Sequence, residues 1–114
     1  MSDPKKPLAL ITGGEGGLAK AISAKFVSSG FEVLCPGRSQ LDVSDESSIL
    51  KYFNENITRD LDLLINNAGI KKDALMFNIS EEEWDEVIRV NLKGAFLCSK
   101  LALKILCKNR TGHI

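Results

Sequence analysis

The stretch Leu8-Ala9-Leu10-Ile11-Thr12-Gly13-Gly14-Glu15-Gly16-Gly17-Leu18-Ala19 constrains this chain more than any other. Leu8 to Thr12 is a short apolar run of the kind found in a strand covered on both faces. Glycines follow, and from Gly17 a helical period begins with Leu18, Ala21, Ile22 and Phe26. A glycine-rich turn between a buried strand and a helix exposes backbone N–H groups at the positive end of the helix dipole. That arrangement suits a phosphate or a diphosphate.

The next elements extend this unit. Gly30 is placed to stop the helix as a C′ glycine. Phe31 to Cys35 reads as a second strand closed by Pro36 and Gly37, which makes a right-handed parallel β-α-β unit. A parallel crossover needs about 10–12 residues, and Arg38 to Leu41 cannot supply them. Leu41-Asp42-Val43 is therefore at most the stub of a third strand. Ser44 is the expected N-cap of a helix whose buried stripe is Ile49, Leu50, Phe53 and Ile57. Leu61 to Asn66 reads as another buried strand, ended by Asn67-Ala68-Gly69. Ser80 and Glu83 form a capping box for one long helix from Ser80 to Asn109. Its apolar residues, Trp84, Val87, Ile88, Leu92, Phe96, Leu97, Leu101, Ile105 and Leu106, are spaced to cover a sheet. Gly112 ends it, and His113-Ile114 is the first step of a further strand.

A chain of 114 residues holds one small domain. Residues 1–7 are expected to be a disordered N-terminal segment without the apolar core of a secretory signal, and 8–114 the domain. Fifteen basic and fifteen acidic residues cancel, so no nucleic-acid surface is expected. No apolar run approaches the roughly 20 residues of a membrane span. Cys35, Cys98 and Cys107 have no paired spacing and read as buried free thiols of a cytoplasmic protein. With His113 as the single histidine, no metal site is expected.

The glycine turn fits two registers, Gly14-x-Gly16-x-x-Ala19 and Thr12-Gly13-x-x-x-Gly17-x-Ala19. The first is the loose dinucleotide fingerprint. The second occurs with Asn66-Asn67-Ala68-Gly69 and Val90-Asn91-Leu92-Lys93-Gly94-Ala95-Phe96, and the three motifs in this order resemble the short-chain dehydrogenase/reductase family. The segment from Asn66 to Leu97 is most similar to the 3-oxoacyl-acyl-carrier-protein reductase branch. The shortcut Arg38-Ser39-Gln40-Leu41-Asp42-Val43 resembles members with an abbreviated third strand, such as dTDP-sugar reductases.

The resemblance implies an α/β fold: a Rossmann-type doubly wound parallel sheet, here truncated. It implies reduction of carbonyls or oxidation of alcohols with NAD(P)(H), acting on small molecules. It assigns Thr12 to tying the turn to Asn67, and Gly13, Gly14, Glu15, Gly16, Gly17 and Leu18 to the diphosphate. Asp42 and Val43 would meet the adenine, and Asn67, Ala68 and Gly69 its ribose. Asn91 would break the long helix and anchor a water in the proton relay. The long helix would pack in a subunit interface, giving a homo-oligomer through 80–109.

The end of the second strand decides the coenzyme. A carboxylate there would bind the ribose hydroxyls and favour NAD. Arg38-Ser39 stands there instead, and a guanidinium pairs well with a phosphate, so NADP is favoured with NAD possible. Glu15 opposes this choice, and Arg38 also reads simply as a solvated turn residue.

The family's reaction needs a tyrosine acid, a lysine four residues later and a serine at the substrate carbonyl. Tyr52 is the single tyrosine, and Asn56 follows it at that spacing. Of the catalytic set only Asn91 has a match, so the chain is expected to bind a dinucleotide without completing hydride transfer alone. It reads as a fragment of such an enzyme. The alternatives are a non-catalytic dinucleotide-binding or scaffold module completed by self-association or a partner, and a decayed gene product. Glu81-Glu82-Glu83 is a solvated capping run, Lys71-Lys72 a solvated loop and Trp84 a core residue.

Overall fold

The computed structural model describes residues 6–114. The expected disordered segment lies outside the described residues over positions 1–5. Pro7 is described, and its carbonyl accepts from Glu32 N at 2.9 Å.

Among the described residues the sheet has three parallel strands, β1 (Leu8–Ile11), β2 (Glu32–Leu34) and β3 (Leu63–Ile65), in the order β2-β1-β3. The central strand β1 pairs with β2 on one side and β3 on the other. All four residues of β1 are buried, as its unbroken apolar run requires. Between β1 and β2 runs α1 (Gly17–Ser28). It ends as the sequence indicates. Gly30 takes φ +94°, its N–H donates to Val27 O, and Phe31 N donates to Phe26 O. The Phe26 and Phe31 rings lock that corner edge to face at 5.0 Å.

Leu41–Val43 forms no strand; it is irregular chain running into a turn at Val43 and Ser44 that leads to α2 (Glu46–Asn56). The N-cap of α2 is Asp45, which accepts from Ser47 N at 3.0 Å, and not Ser44. Ser44 is otherwise engaged, donating its hydroxyl to Asp42 Oδ1 at 2.7 Å. The buried stripe of α2 is Ile49, Tyr52 and Phe53, whereas Leu50 faces out.

The expected long helix is three segments. α3 (Glu81–Ile88) starts at Ser80, whose hydroxyl accepts from Glu83 N at 3.1 Å. A π-helical turn spans Arg89–Lys93, and α4 (Gly94–Asn109) follows. Asn91 sits inside the π turn, so the helix is interrupted where the motif implied. The turn changes which residues face the sheet. Val90, Leu97, Cys98, Ala102 and Leu106 are buried, while Trp84, Leu92 and Phe96 are at least 60% exposed. Trp84 is therefore not a core residue. α4 ends at Asn109, as expected, but Arg110 and not Gly112 terminates it. Arg110, at φ 55°, takes the left-handed position, with Thr111 N donating to Leu106 O. Gly112 instead lets the chain pass close over Asp62 O and the Leu106 side chain. His113 then bridges to Leu63 in parallel, the expected first step of another strand.

All three cysteines are free, but of the expected buried thiols only Cys98 is buried; Cys35 is half-buried and Cys107 exposed. Among the described residues no helix is long and apolar enough to cross a membrane.

Candidate functional site

The candidate site lies at the C-terminal ends of β1 and β3, where the glycine turn meets Asn67-Ala68-Gly69. Thr12 joins the two. Its side chain is 1% exposed, and Oγ1 accepts from Asn67 N at 3.1 Å and Ala68 N at 3.0 Å. Asn67 returns the link: Nδ2 donates to Thr12 O at 3.1 Å and Gly13 O at 3.4 Å. Its carboxamide thus faces the turn rather than the pocket described below.

The second glycine register is the one the backbone uses. Gly13 has φ +70°, and a Cβ there would lie 2.8 Å from Ala68 Cα. Only glycine suits both demands. Gly14 packs on the end of β2, donating to Pro36 O at 2.8 Å. Gly16 is the N-cap of α1 and supplies no capping side chain. A Cβ on Gly17 would meet nothing within 4 Å. Gly17 and Leu18 are exposed, Leu18 at 67%, and their N–H groups, in the first turn of α1, have no intrahelical acceptor. Ala19, fully buried, lets the helix close onto the sheet.

Next to the turn is a pocket of about 110 Å³ lined by Gly13, Arg38, Leu41, Asp42, Val43, Ala68, Gly69, Ile70 and Val90. It unites Arg38, Asp42, Val43, Ala68 and Gly69, which the sequence separates widely. Three liners were not among the expected site residues: Leu41, Ile70 and Val90. Ile70 follows Gly69 and Val90 precedes Asn91, so adjacency to the motifs was the available signal. Ser39 stands apart, lining a wider polar groove beside α2 with Gln40 and Lys51.

Asp42 is held in place from two sides. Oδ1 accepts from Ser44 N and Oγ, and Oδ2 lies 3.7 Å from Arg38 Nε. The Ser44 hydroxyl is the largest cause that holds its carboxyl below the ordinary value of 3.8; burial, next in size, opposes it, and the Ser44 amide and Arg38 add to the lowering. Arg38 remains mostly solvated, with a side chain 64% exposed. Asn91 reaches from the π turn to Ile70, accepting from its N–H at 2.8 Å and donating to its carbonyl at 2.7 Å.

This geometry fits a dinucleotide. Unprotected amides at a helix start would receive a diphosphate. A small, largely apolar pocket with one carboxylate would receive the base.

The family model of short chain dehydrogenases matches residues 38–114. The 3-oxoacyl-(acyl-carrier-protein) reductase FabG of Aquifex aeolicus is 33% identical, with 94% of this chain and 53% of that protein covered. The enzyme of that name from Thermotoga maritima is 32% identical, with 94% and 53% covered. Among solved structures, ElxO with NADP bound superposes with a TM-score of 0.83 at 28% identity, covering 94% of this chain and 53% of that one. The chain thus spans about half the length of the curated relatives it matches. The Aquifex alignment runs over 131 positions, more than the 114 residues of this chain, so part of that reductase lies opposite gaps here. This chain belongs to the short chain dehydrogenase family.

Proposed function

We propose that this chain is the NAD(P)(H)-binding portion of an oxidoreductase of carbonyl or alcohol substrates, of the 3-oxoacyl reductase type, with NADP the favoured coenzyme. The observation that carries the reading is the Thr12 junction. One buried hydroxyl fixes the glycine turn against Asn67-Ala68 and leaves the start of α1 open beside the pocket. Gly13 and the amides from Gly17 onward would hold the diphosphate. Val43, Leu41 and Val90 would enclose the adenine, and Asp42 would accept from its amino group. Arg38 would face the adenosine ribose and attract a 2′-phosphate. When bound, the coenzyme supplies a nicotinamide ring that accepts or donates hydride.

Asn91 holds the backbone at Ile70, next to Gly69, and so keeps the ribose side of the site in register. Tyr52 is no substitute for the family's proton donor. It is 8% exposed, and burial, foremost, raises its hydroxyl above the ordinary value of 10.0. These residues therefore bind a dinucleotide without completing hydride transfer. The matching experiment is calorimetric titration of NADP⁺ into the folded chain, with an assay for NADPH-dependent reduction of an acetoacetyl thioester. Binding without turnover supports the reading. Absence of binding, or turnover above solvent background, rejects it.

One observation favours self-association as part of the same function. Trp84, Leu92 and Phe96 leave an apolar strip exposed along α3, the π turn and α4. A second copy laid against that strip would cover it. Light scattering after size exclusion tests this, and a concentration-independent monomer counts against it. The free thiols suit a reducing, cytoplasmic setting.

A further inference from the structure

The side chain of Glu15 lies where a side chain on Gly37 would be. A Cβ built on Gly37 would come 2.7 Å from Glu15 Cδ, and its other nearest neighbours are Glu15 Cγ and Oε1. Gly37 is at the exit of β2, directly before Arg38. In dinucleotide-binding sheets of this type a carboxylate at that exit accepts hydrogen bonds from the ribose hydroxyls and repels a 2′-phosphate. The β2 exit itself carries none: its residues are Cys35, Pro36, Gly37, Arg38 and Ser39.

We propose that Glu15 supplies this carboxylate from the glycine turn and sets, against Arg38, the preference between a ribose 2′-hydroxyl and a 2′-phosphate. The proposal rests on the coenzyme reading above. Glu15 is exposed and makes no ion pair among the described residues, so its charge is not committed elsewhere. Arg38 is partly committed, with Nε 3.7 Å from Asp42 Oδ2. The missing side chain at Gly37 is what gives the Glu15 carboxyl its place. Two opposite charges thus flank one glycine, and the site is a balance between them rather than a committed NADP site.

The experiment measures the affinities of NADP⁺ and NAD⁺ for the whole chain, for Glu15→Gln and for Glu15→Ala, at low and high salt. Loss of the charge is expected to shift the ratio about tenfold toward NADP⁺ in both variants, with the shift shrinking as salt rises. If the variants bind both coenzymes with the unchanged ratio, Glu15 is not the reader, while the coenzyme reading stands. Glu15 is equally ruled out as the reader if both affinities fall together, which marks it as shaping the turn only. If the unmodified chain binds neither coenzyme, the coenzyme reading fails and takes this proposal with it.

Discussion

Asn91 commits both polar atoms of its carboxamide to one residue, the backbone of Ile70, at 2.8 and 2.7 Å. The pairing imitates a rung of a strand ladder between a π turn and a loop. It holds the chain just after Gly69, where an added Cβ would come 3.2 Å from Asn91 Oδ1.

Replacing Asn91 with alanine removes both bonds. The site is open to solvent, so a loss of about 1–2 kcal/mol is expected, at the lower end for two bonds. Urea denaturation reads the stability. Amide exchange at Ile70 should accelerate well beyond that of β1. Equal exchange in both chains would show that Ile70 is held by something else.

Thr12→Val keeps the shape of the side chain and removes the acceptor for Asn67 N and Ala68 N. Two amides would be left unpaired at a buried junction, at a cost of about 2–4 kcal/mol. Thr12→Ser should retain most of the stability. A valine variant as stable as the parent would mean that the loop finds other acceptors.

Gly17→Ala and Gly94→Ala separate binding from folding. The alanine methyl at 17 meets open space, so stability should hold or rise slightly while dinucleotide binding falls at least tenfold. The methyl at 94 would come 2.7 Å from Val43 Cγ2, so α4 must shift, at about 1–3 kcal/mol. Thermal melts should show a loss of stability for Gly94→Ala only, and titration a loss of binding in Gly17→Ala at undiminished stability.

Cys98 predicts a pH dependence. Burial pushes its thiol up from 9.0 to about 11. The folded state then holds a proton that the unfolded state gives up, so the stabilising contribution is complete below about pH 9. It is lost as pH rises toward 11. Denaturant midpoints across this window should fall less in Cys98→Ala than in the parent. Under native conditions iodoacetamide should label Cys107, which is exposed, and spare Cys98.

The first β-α-β unit was legible because its signals are local. A run of apolar residues, a positive-φ glycine and a C′ glycine each act over a few positions. The family motifs located the pocket, since Gly13, Asp42, Val43, Ala68 and Gly69 do meet there. Failures came where two local signals competed or where phase mattered. Ser44 and Asp45 can each cap α2, and only the demand of Asp42 on Ser44 decides between them. Leu50 has the right character for a buried stripe, yet Tyr52 takes the inward place. Trp84, Leu92 and Phe96 fit one continuous helical period, which the backbone does not keep.

The wider turn at Arg89–Lys93 uses one residue more than an α-helical turn. Each residue of an α-helix advances the azimuth by about 100°. Removing a single residue there would restore a seamless helix but would rotate everything before it relative to α4. Trp84 and Ile88 would swing to a new bearing, and the carboxamide at 91 would leave Ile70. One-residue deletions in this interval should therefore harm the molecule more than deletions of similar size elsewhere on its surface, although no buried side chain need be lost.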